Sequence, residues 1–458
     1  MKKKTIHLFF FICLIILLTG CSAKESVQSE PLSAESQIDA LQETEKEEMA
    51  DEQDEQLEEA VWNAIEETDA VLEKAHESED SQEFEQVVVE TQQTEFSPAN
   101  QSELEQVREK LGLSEKKIPG LKAAQERNYY YSCLDAEEQI LYVELYQILA
   151  NMEKGVMLTT KDANRIPHVY QAVLNDHPEL FYTKGFEYTK ATMEGEIIYI
   201  TCSGSYTYTK EEASVRMQQI EEAAQKILGK LPSDADAYTV VKSLYEYIIL
   251  NTDYGEKTKD HQNISSVLLD NVSVCNGYAK TLQFLLNKKG IPCILVNGSA
   301  KGNHAWNIVS IDGEYYCVDA TWGDPSYNTD SDKTIPAAQI DYSYLCVPKE
   351  QLGMDHTESE EFPLPDCQSM KANYFVREGL YITGYDEAYL KTVFDTALQR
   401  GQKSIVLKAS DRQVYETLKQ KLFKEQAVFQ YLGANAEGQI TSLAYSQNEN
   451  MYTISIWY

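Results

Sequence analysis

The chain has 458 residues, enough for two or three domains, and its apolar fraction of 43% is ordinary for a globular protein. A formal net charge of −34 argues against a nucleic-acid partner, because the phosphate backbone attracts basic surfaces. Seven cysteines follow Cys21, widely spaced and without a CxxC pair, which argues against a structural zinc site. Their odd number leaves at least one thiol unpaired within the chain. No cofactor is expected.

The first twenty residues have the pattern of a signal peptide. Lys2–Lys4 precede the apolar run "IHLFFFICLIILL", which is too short for a comfortable membrane span. The following Leu18-Thr19-Gly20-Cys21 resembles the lipobox of bacterial lipoproteins, whose processing cleaves before the cysteine and lipidates it. We therefore expect residues 1–20 to be removed and Cys21 to hold the protein at the extracytoplasmic face of the cell membrane. The alternative is a signal anchor with an incidental cysteine.

An acidic segment comes next. Residues 22–118 contain 29 acidic and 7 basic residues and are rich in Glu, Gln and Ser. Low hydrophobicity with high net charge cannot offset the entropy of ordering. We expect residues 21–118 to form a lipidated, disordered tether that self-repulsion extends. An acidic docking tail is the alternative.

Residues 119–235 are predicted to form a subdomain of helices and one hairpin. Amphipathic helical spacing appears in "SCLDAEEQILYVELYQILANM" and "IPHVYQAVLNDHPELFY", and the second helix stops before Pro178. Alternating residues around Glu194-Gly195 predict the hairpin. A further helix fits "KEEASVRMQQIEEAAQKIL".

Residues 236–366 are predicted to form a central α+β domain. After the helix "DAYTVVKSLYEYIILNT", a second helix begins at Cys275 and ends at Gly290, a natural left-handed cap with Pro292 beyond it. "CILVNGSA" is a strand, and "HAWNIVSIDGEYYCVDATW" is two alternating runs joined by Asp312-Gly313, a strong hairpin signal. Residues 367–458 then read as helix, strand, helix and hairpin, a small α+β module without evident chemistry.

The hairpin allows the geometry of two polar side chains to be derived. If Ile311 and Glu314 flank a two-residue turn, His304 and Asp319 are diagonal neighbours on one face of the ribbon. Such a diagonal is about 7–8 Å at the backbone, within hydrogen-bonding reach for an imidazole and a carboxylate. A register slip of one residue would put them on opposite faces.

Cys275 supplies the nucleophile that such a pair lacks. A helix N-terminus favours the thiolate, and its free N–H groups suit the oxyanion of a tetrahedral intermediate. We predict an acyl-transfer site with Cys275 as nucleophile, His304 as base and then acid, and Asp319 fixing its tautomer. Gly277 is expected to leave room for a substrate or for the hairpin.

Other interpretations of these residues remain open. Each residue alone has a structural explanation, as a packing thiol, a strand histidine and a turn aspartate. A metal site of Cys275, His304, Cys317 and Asp319 would have atypical spacing, and no metal is expected. Cys317 is interpreted as core beneath the site.

Three blocks resemble the bacterial transglutaminase-like superfamily, which has a papain-like Cys-His-Asp site. They are "VCNGYAKTLQFLLNKKGIPC", "NHAWNIVSIDGEYYCVDATWGDP" and "YLCVPKEQLGMDH". The resemblance implies a helix carrying the cysteine packed on an antiparallel sheet, and it assigns catalytic roles to Cys275, His304 and Asp319. Asn276 departs from the family, where an acidic residue is usual after the cysteine.

The implied function is a membrane-anchored thiol enzyme acting on peptide or protein amides. The superfamily includes transglutaminases, cysteine proteases, amidases and members without known activity, so hydrolysis and amine transfer both remain open. A non-catalytic envelope protein that uses the fold for binding or as a scaffold is the alternative. The oligomeric state is not predicted.

Overall fold

The computed structural model describes residues 89–95, 97–258, 260–324, 340–433, 440 and 442–458. The predicted signal peptide, Cys21 and the tether up to residue 88 lie outside these described residues. Within the described ranges, no helix combines the length and the apolar character needed to cross a membrane.

The described chain begins with ordered elements inside the predicted tether. Strand β1 (Val89–Glu95) pairs in parallel with the strand Thr183–Met193, and helix α1 (Pro98–Lys110) follows it. Arg108 of α1 forms an ion pair of 2.7 Å with the buried carboxylate of Glu144. The predicted disorder is therefore wrong for residues 89–95 and 97–118. The local charge of the segment could not reveal that β1 and α1 are ordered, because the partners of both elements lie far along the chain.

The predicted helical subdomain consists of helices around a four-stranded sheet of order β1-β3-β4-β2. Its elements are α2 (Ile118–Gln125), α3 (Tyr129–Ser132), α4 (Ala136–Asn151), β2 (Val156–Met157), α5 (Arg165–Asp176), β3 (Thr183–Met193), β4 (Glu196–Tyr206) and α6 (Lys210–Leu228). Capping boxes at Asp135 and Thr209 start α4 and α6. The predicted β3–β4 turn forms at Glu194 and Gly195, both at positive φ.

The central domain is a helix packed on a five-stranded antiparallel sheet of order β10-β9-β8-β7-β11, as predicted. Its elements are α7 (Ala237–Asn251), β5 (Asp253–Tyr254), a π-helical turn (Ser266–Asp270), β6 (Val272–Ser273), α8 (Cys275–Lys288), β7 (Cys293–Ser299), β8 (Asn303–Ile311), β9 (Glu314–Val318), β10 (Leu345–Val347), α9 (Lys349–Leu352) and β11 (Thr357–Glu358). The fold is α+β.

Small side chains let α8 approach the sheet closely. Ala279 of α8 packs with Leu295 of β7 and Ala305 of β8 in a small buried cluster. The Asn307 side chain, fully buried on β8, donates a hydrogen bond of 3.0 Å from Nδ2 to the backbone oxygen of Ala279. This bond fixes the helix that starts at Cys275 against the strand that starts beside His304.

One apolar core joins the helical subdomain to the central domain across the predicted boundary at residues 235 and 236. Two polar contacts accompany it. The Tyr130 hydroxyl donates to the backbone oxygen of Leu295, and Gln283 Nε2 on α8 donates to the backbone oxygen of Asn175 at 2.7 Å. The helical subdomain thus contacts both α8 and β7 and helps to fix their positions.

The C-terminal module has its own apolar cluster and a four-stranded sheet of order β12-β13-β15-β14. Its elements are α10 (Tyr374–Arg377), β12 (Tyr381–Ile382), α11 (Glu387–Gln399), β13 (Ser404–Ala409), α12 (Arg412–Lys419), α13 (Ala427–Gly433), β14 (Ala444–Asn448) and β15 (Thr453–Trp457). The predicted order of helix, strand, helix and hairpin is confirmed. Gln351 Nε2 on α9 donates to the backbone oxygen of Met451 at 3.1 Å, which ties this module to the central domain.

Candidate active site

Cys275 is the first residue of α8 and only 7% exposed. Its helix has no side-chain cap at Val274 and no acidic residue in its first turn. The first N–H groups of a helix lack intrahelical acceptors, and the helix dipole adds partial positive charge there. The thiol therefore lies where negative charge, on sulfur or on an adjacent oxygen, is stabilised.

The hairpin of β8 and β9 has the predicted register. Ile311 pairs with Glu314, and the two residues between them, Asp312 and Gly313, have φ of 53° and 83°. Positive φ at both central positions is the type I′ turn that suits the right-handed twist of a hairpin. The same-face prediction is confirmed, since His304 Nε2 lies 2.6 Å from Asp319 Oδ2.

The carboxylate of Asp319 is held in a single orientation. Its Oδ1 accepts hydrogen bonds from the backbone N–H groups of Thr321 at 2.8 Å and Trp322 at 3.1 Å. Its own N–H donates to the backbone oxygen of Tyr344 at 3.0 Å. Asp319 is fully buried, so these donors compensate a charge that would otherwise be costly to bury.

The three predicted residues are brought together. The Cys275 side chain lies close enough to the His304 ring to affect its charge, and the Nε2 of that ring is already engaged by Asp319. Burial disfavours the charged imidazole, but the charge and hydrogen bond of Asp319, with smaller contributions from Cys275, outweigh it and raise the pKa of His304 to about 10. The catalytic roles of the three residues stay a prediction.

Asp319 shows the reciprocal shift. Burial alone would raise its pKa, but the charge and hydrogen bond of His304, followed by those of His356, lower the pKa below its ordinary range. The carboxylate is therefore ionised across the whole neutral range. A permanently ionised Asp319 keeps the Nε2 of His304 protonated and leaves Nδ1 as the ring nitrogen that can exchange a proton with a thiol.

His356 is a member of the site that the sequence did not assign. Its Nε2 lies 2.9 Å from Asp319 Oδ2 and its Nδ1 lies 2.5 Å from Asp355 Oδ1. The His356 ring is 5.4 Å from that of His304, and both histidines are buried. The motif "GMDH" contains the residue, but nothing in its spacing points to Asp319, 37 positions earlier.

The three aromatic neighbours of the site enclose these rings. Trp306 stacks on His304 with ring centroids 5.8 Å apart, and Trp322 and Tyr344 lie at 4.9 Å and 6.0 Å from His356. Such an apolar wall excludes water and strengthens the electrostatic interactions inside it.

One expectation about a neighbour of Cys275 is wrong. The space beside Gly277 does not serve a substrate, because a Cβ there would lie 1.9 Å from Ser273 Oγ and 2.9 Å from Ser266 Oγ. Glycine is required so that these two hydroxyls, 2.7 Å apart, can pack under the helix start. Asn276, the departure from the family pattern, is 9% exposed, and its Oδ1 has no hydrogen-bond partner among the described residues.

The geometry does not assemble the alternative metal site. Among the described residues, the one group with metal-ligand proximity is His304, Asp319 and His356, without Cys275 or Cys317. Asp319 Oδ2 in that group already accepts from both imidazoles. Cys317 is buried beneath the site, as expected, and its side chain contacts that of Cys367.

A cysteine at a helix N-terminus, opposite a histidine–aspartate pair on an antiparallel sheet, defines the papain-like class of thiol sites. Residues 201–320 match the sequence profile of the transglutaminase-like superfamily core, and this range includes Cys275, His304 and Asp319. The chain therefore carries a transglutaminase-like domain. His356 lies beyond the matched range.

Two curated relatives are animal proteins. The chain is 24% identical over 145 residues to mouse kyphoscoliosis peptidase, covering 28% of this chain and 22% of the relative. It is 25% identical over 132 residues to the human kyphoscoliosis peptidase, covering 25% and 20%. The chain thus spans about a fifth of the length of the curated relatives it matches.

A solved structure, described as a putative cysteine protease from Cytophaga hutchinsonii, is 15% identical to the chain. The similarity covers 30% of this chain and 62% of that one, with a TM-score of 0.20.

Proposed function

We propose that the protein is a thiol acyl-transfer enzyme that acts on peptide or protein amides. The observation that carries the proposal is the buried hydrogen bond of His304 to Asp319 beside Cys275, which begins α8. The similarity to two proteins named as peptidases supports the same chemistry. No metal or cofactor takes part in the proposed reaction.

Before substrate binds, the proton of Cys275 resides on His304, which leaves a thiolate beside an imidazolium. The thiolate attacks the amide carbonyl carbon, and the resulting oxyanion is stabilised by N–H groups of the first turn of α8. The His304 imidazolium then gives its proton to the leaving amine, and a thioester to Cys275 remains. Water or a second amine attacks that thioester, with His304 again as base, and releases an acid or a new amide.

Asp319 holds His304 in the tautomer that these reaction steps need. Its Oδ2 engages Nε2, so Nδ1 is the ring nitrogen left to exchange a proton with the sulfur. The raised pKa of His304 favours the thiolate–imidazolium pair as the resting state, because the charged imidazole is stable at neutral pH. Hydrolysis is favoured over amine transfer, because water is the abundant acceptor outside the cell.

We further propose that lipid on Cys21 anchors the enzyme at the extracytoplasmic face of the cell membrane. The basic, apolar and lipobox segments of residues 2–21 support this anchoring. An extended acidic linker would then hold the folded part away from the surface. The substrate class that fits such a position is an envelope or extracellular peptide or protein, without any role for nucleic acid.

The function is tested with a peptide library and a labelled primary amine, analysed by mass spectrometry. Cleaved, deamidated or amine-labelled peptides are expected from the wild type. Cys275→Ala is expected to abolish all three products, because no other group supplies the thioester. Cys293→Ala is the matched control, since Cys293 is also 7% exposed but lies on β7 away from His304. Products that persist in Cys275→Ala, or no products from the wild type, would favour a binding or scaffold role.

A further inference from the structure

His356 and Asp355 extend the candidate site beyond the three predicted residues. The segment that carries them lies between α9 and β11, and β11 pairs with β7 at the edge of the central sheet. Both side chains are nearly inaccessible, with His356 1% and Asp355 9% exposed. A histidine buried between two carboxylates has no obvious packing purpose, since an apolar side chain would fill the same space at lower cost.

The hydrogen bonds define the protonation of His356. A carboxylate accepts hydrogen bonds and cannot donate them, and both ring nitrogens of His356 face carboxylate oxygens, at 2.9 Å and 2.5 Å. Both nitrogens must therefore carry hydrogen, which makes His356 an imidazolium. Burial opposes this charge, but the hydrogen bonds to Asp319 and Asp355 outweigh it and raise the pKa of His356.

The titratable groups facing His356 are few. Asp319 follows β9, Asp355 precedes His356, His304 lies on β8, and the Tyr344 hydroxyl donates to Asp355 Oδ2 at 3.2 Å. Trp306 and Trp322, the other rings in contact, are uncharged. Two carboxylates thus share two imidazoles, with Asp319 Oδ2 as the common acceptor.

We propose that His356, held by Asp355, is a positioning residue whose positive charge fixes Asp319 and weakens the hold of Asp319 on the His304 proton. The proposal rests on the proposed roles of Cys275, His304 and Asp319. A base that never releases its proton cannot serve as the acid that expels the leaving amine. A second cation 5.4 Å from the His304 ring makes that release easier, because like charges disfavour the protonated form.

The test follows both imidazoles by nitrogen-15 NMR of the histidine-labelled full chain, in a Cys275→Ala background where the thiol does not titrate. Signals are assigned with His304→Gln and His356→Gln. We expect His356 to be doubly protonated at pH 7, and we expect His356→Gln to raise the titration midpoint of His304 by about one pH unit. Asp355→Asn, which keeps the shape, is expected to lower the midpoint of His356.

Three results would overturn the proposal: a neutral His356 at pH 7, an unchanged His304 midpoint in His356→Gln, or an unchanged His356 midpoint in Asp355→Asn. A merely structural His356 would change the melting temperature without moving the His304 midpoint. If His356→Gln does not fold, the proposal is still tested by the protonation state of His356 at pH 7 and by its titration midpoint in Asp355→Asn. None of these readouts requires activity, so a failed proposal is distinguishable from a failed function, which would appear as absent products in the peptide assay.

Discussion

Two cysteines of the central domain, Cys275 and Cys293, have the same exposed fraction of 7% and differ in almost everything else. Cys293 begins β7, and burial raises the pKa of its thiol, with only a partly compensating hydrogen bond from Asn307. Cys275 begins α8, without a side-chain cap, and contacts an imidazole that a carboxylate keeps charged. Burial by itself therefore produces an inert thiol. Reactivity requires a helix start and a charged partner in addition.

The largest expected effect comes from removing that partner. His304→Ala takes away the cation beside Cys275 and the group that carries its proton. We expect amide turnover to fall by about 100-fold or more, in the range typical for loss of a general acid–base. We also expect the alkylation rate of Cys275 at neutral pH to approach that of Cys293. Turnover is measured by peptide mass spectrometry and alkylation by quantifying each modified peptide.

If Cys275 stayed as reactive in His304→Ala as in the wild type, the explanation of its difference from Cys293 by a charged partner would be wrong. The helix terminus alone would then account for its reactivity, and His304 would have only a structural role. Circular dichroism of the variant is the control, because a lost fold would expose both thiols and make their rates converge for the wrong reason.

A smaller effect concerns stability as a function of pH. The pKa of His304 is about 10 in the folded protein, above the value of about 6.5 for a free imidazole. Because the pKa of His304 is higher in the folded state, its protonation stabilises that state. This contribution to the free energy of unfolding is complete below pH 6.5 and is lost as the pH rises through 10. The free energy of unfolding is therefore expected to decrease over this interval.

Asp319→Asn tests that contribution, together with the smaller one of His356, whose Nε2 bonds the same carboxylate oxygen. The amide removes the charge that keeps His304 protonated, so the difference in unfolding free energy between wild type and variant should shrink from pH 6.5 to pH 10. Urea unfolding at several pH values measures it, and the shared titration of other groups cancels in the difference. A difference that stays constant with pH would mean that Asp319 does not stabilise a charged His304.

The His304–Asp319 pair was predictable because its determinants are local. The dipeptide Asp312-Gly313 sets the turn, the turn sets the register, and strand alternation then places both side chains on one face. The helix that begins at Cys275 was likewise predictable from its apolar spacing and from Gly290. In the structure Gly290 has the left-handed φ of 71° that a glycine after a helix is expected to adopt.

Other features depend on contacts that sequence spacing does not encode. His356 reaches Asp319 only after the chain passes through β10 and α9 and returns to the sheet edge as β11. Each residue of strand β1 pairs in parallel with a residue 97 positions later, and parallel pairing has no turn signal. Gly277 illustrates a third limit, since its small size serves two buried serines rather than an external ligand.

The claim that Cys275 is an activated nucleophile is tested most simply by comparing two thiols of the same molecule. The wild-type full chain is treated with limiting iodoacetamide at pH 7, and the rates of modification of Cys275 and Cys293 are compared by mass spectrometry. Because only the thiolate reacts and both thiols are equally buried, we expect Cys275 to be modified about tenfold faster or more. Equal, slow modification of the two cysteines would contradict it.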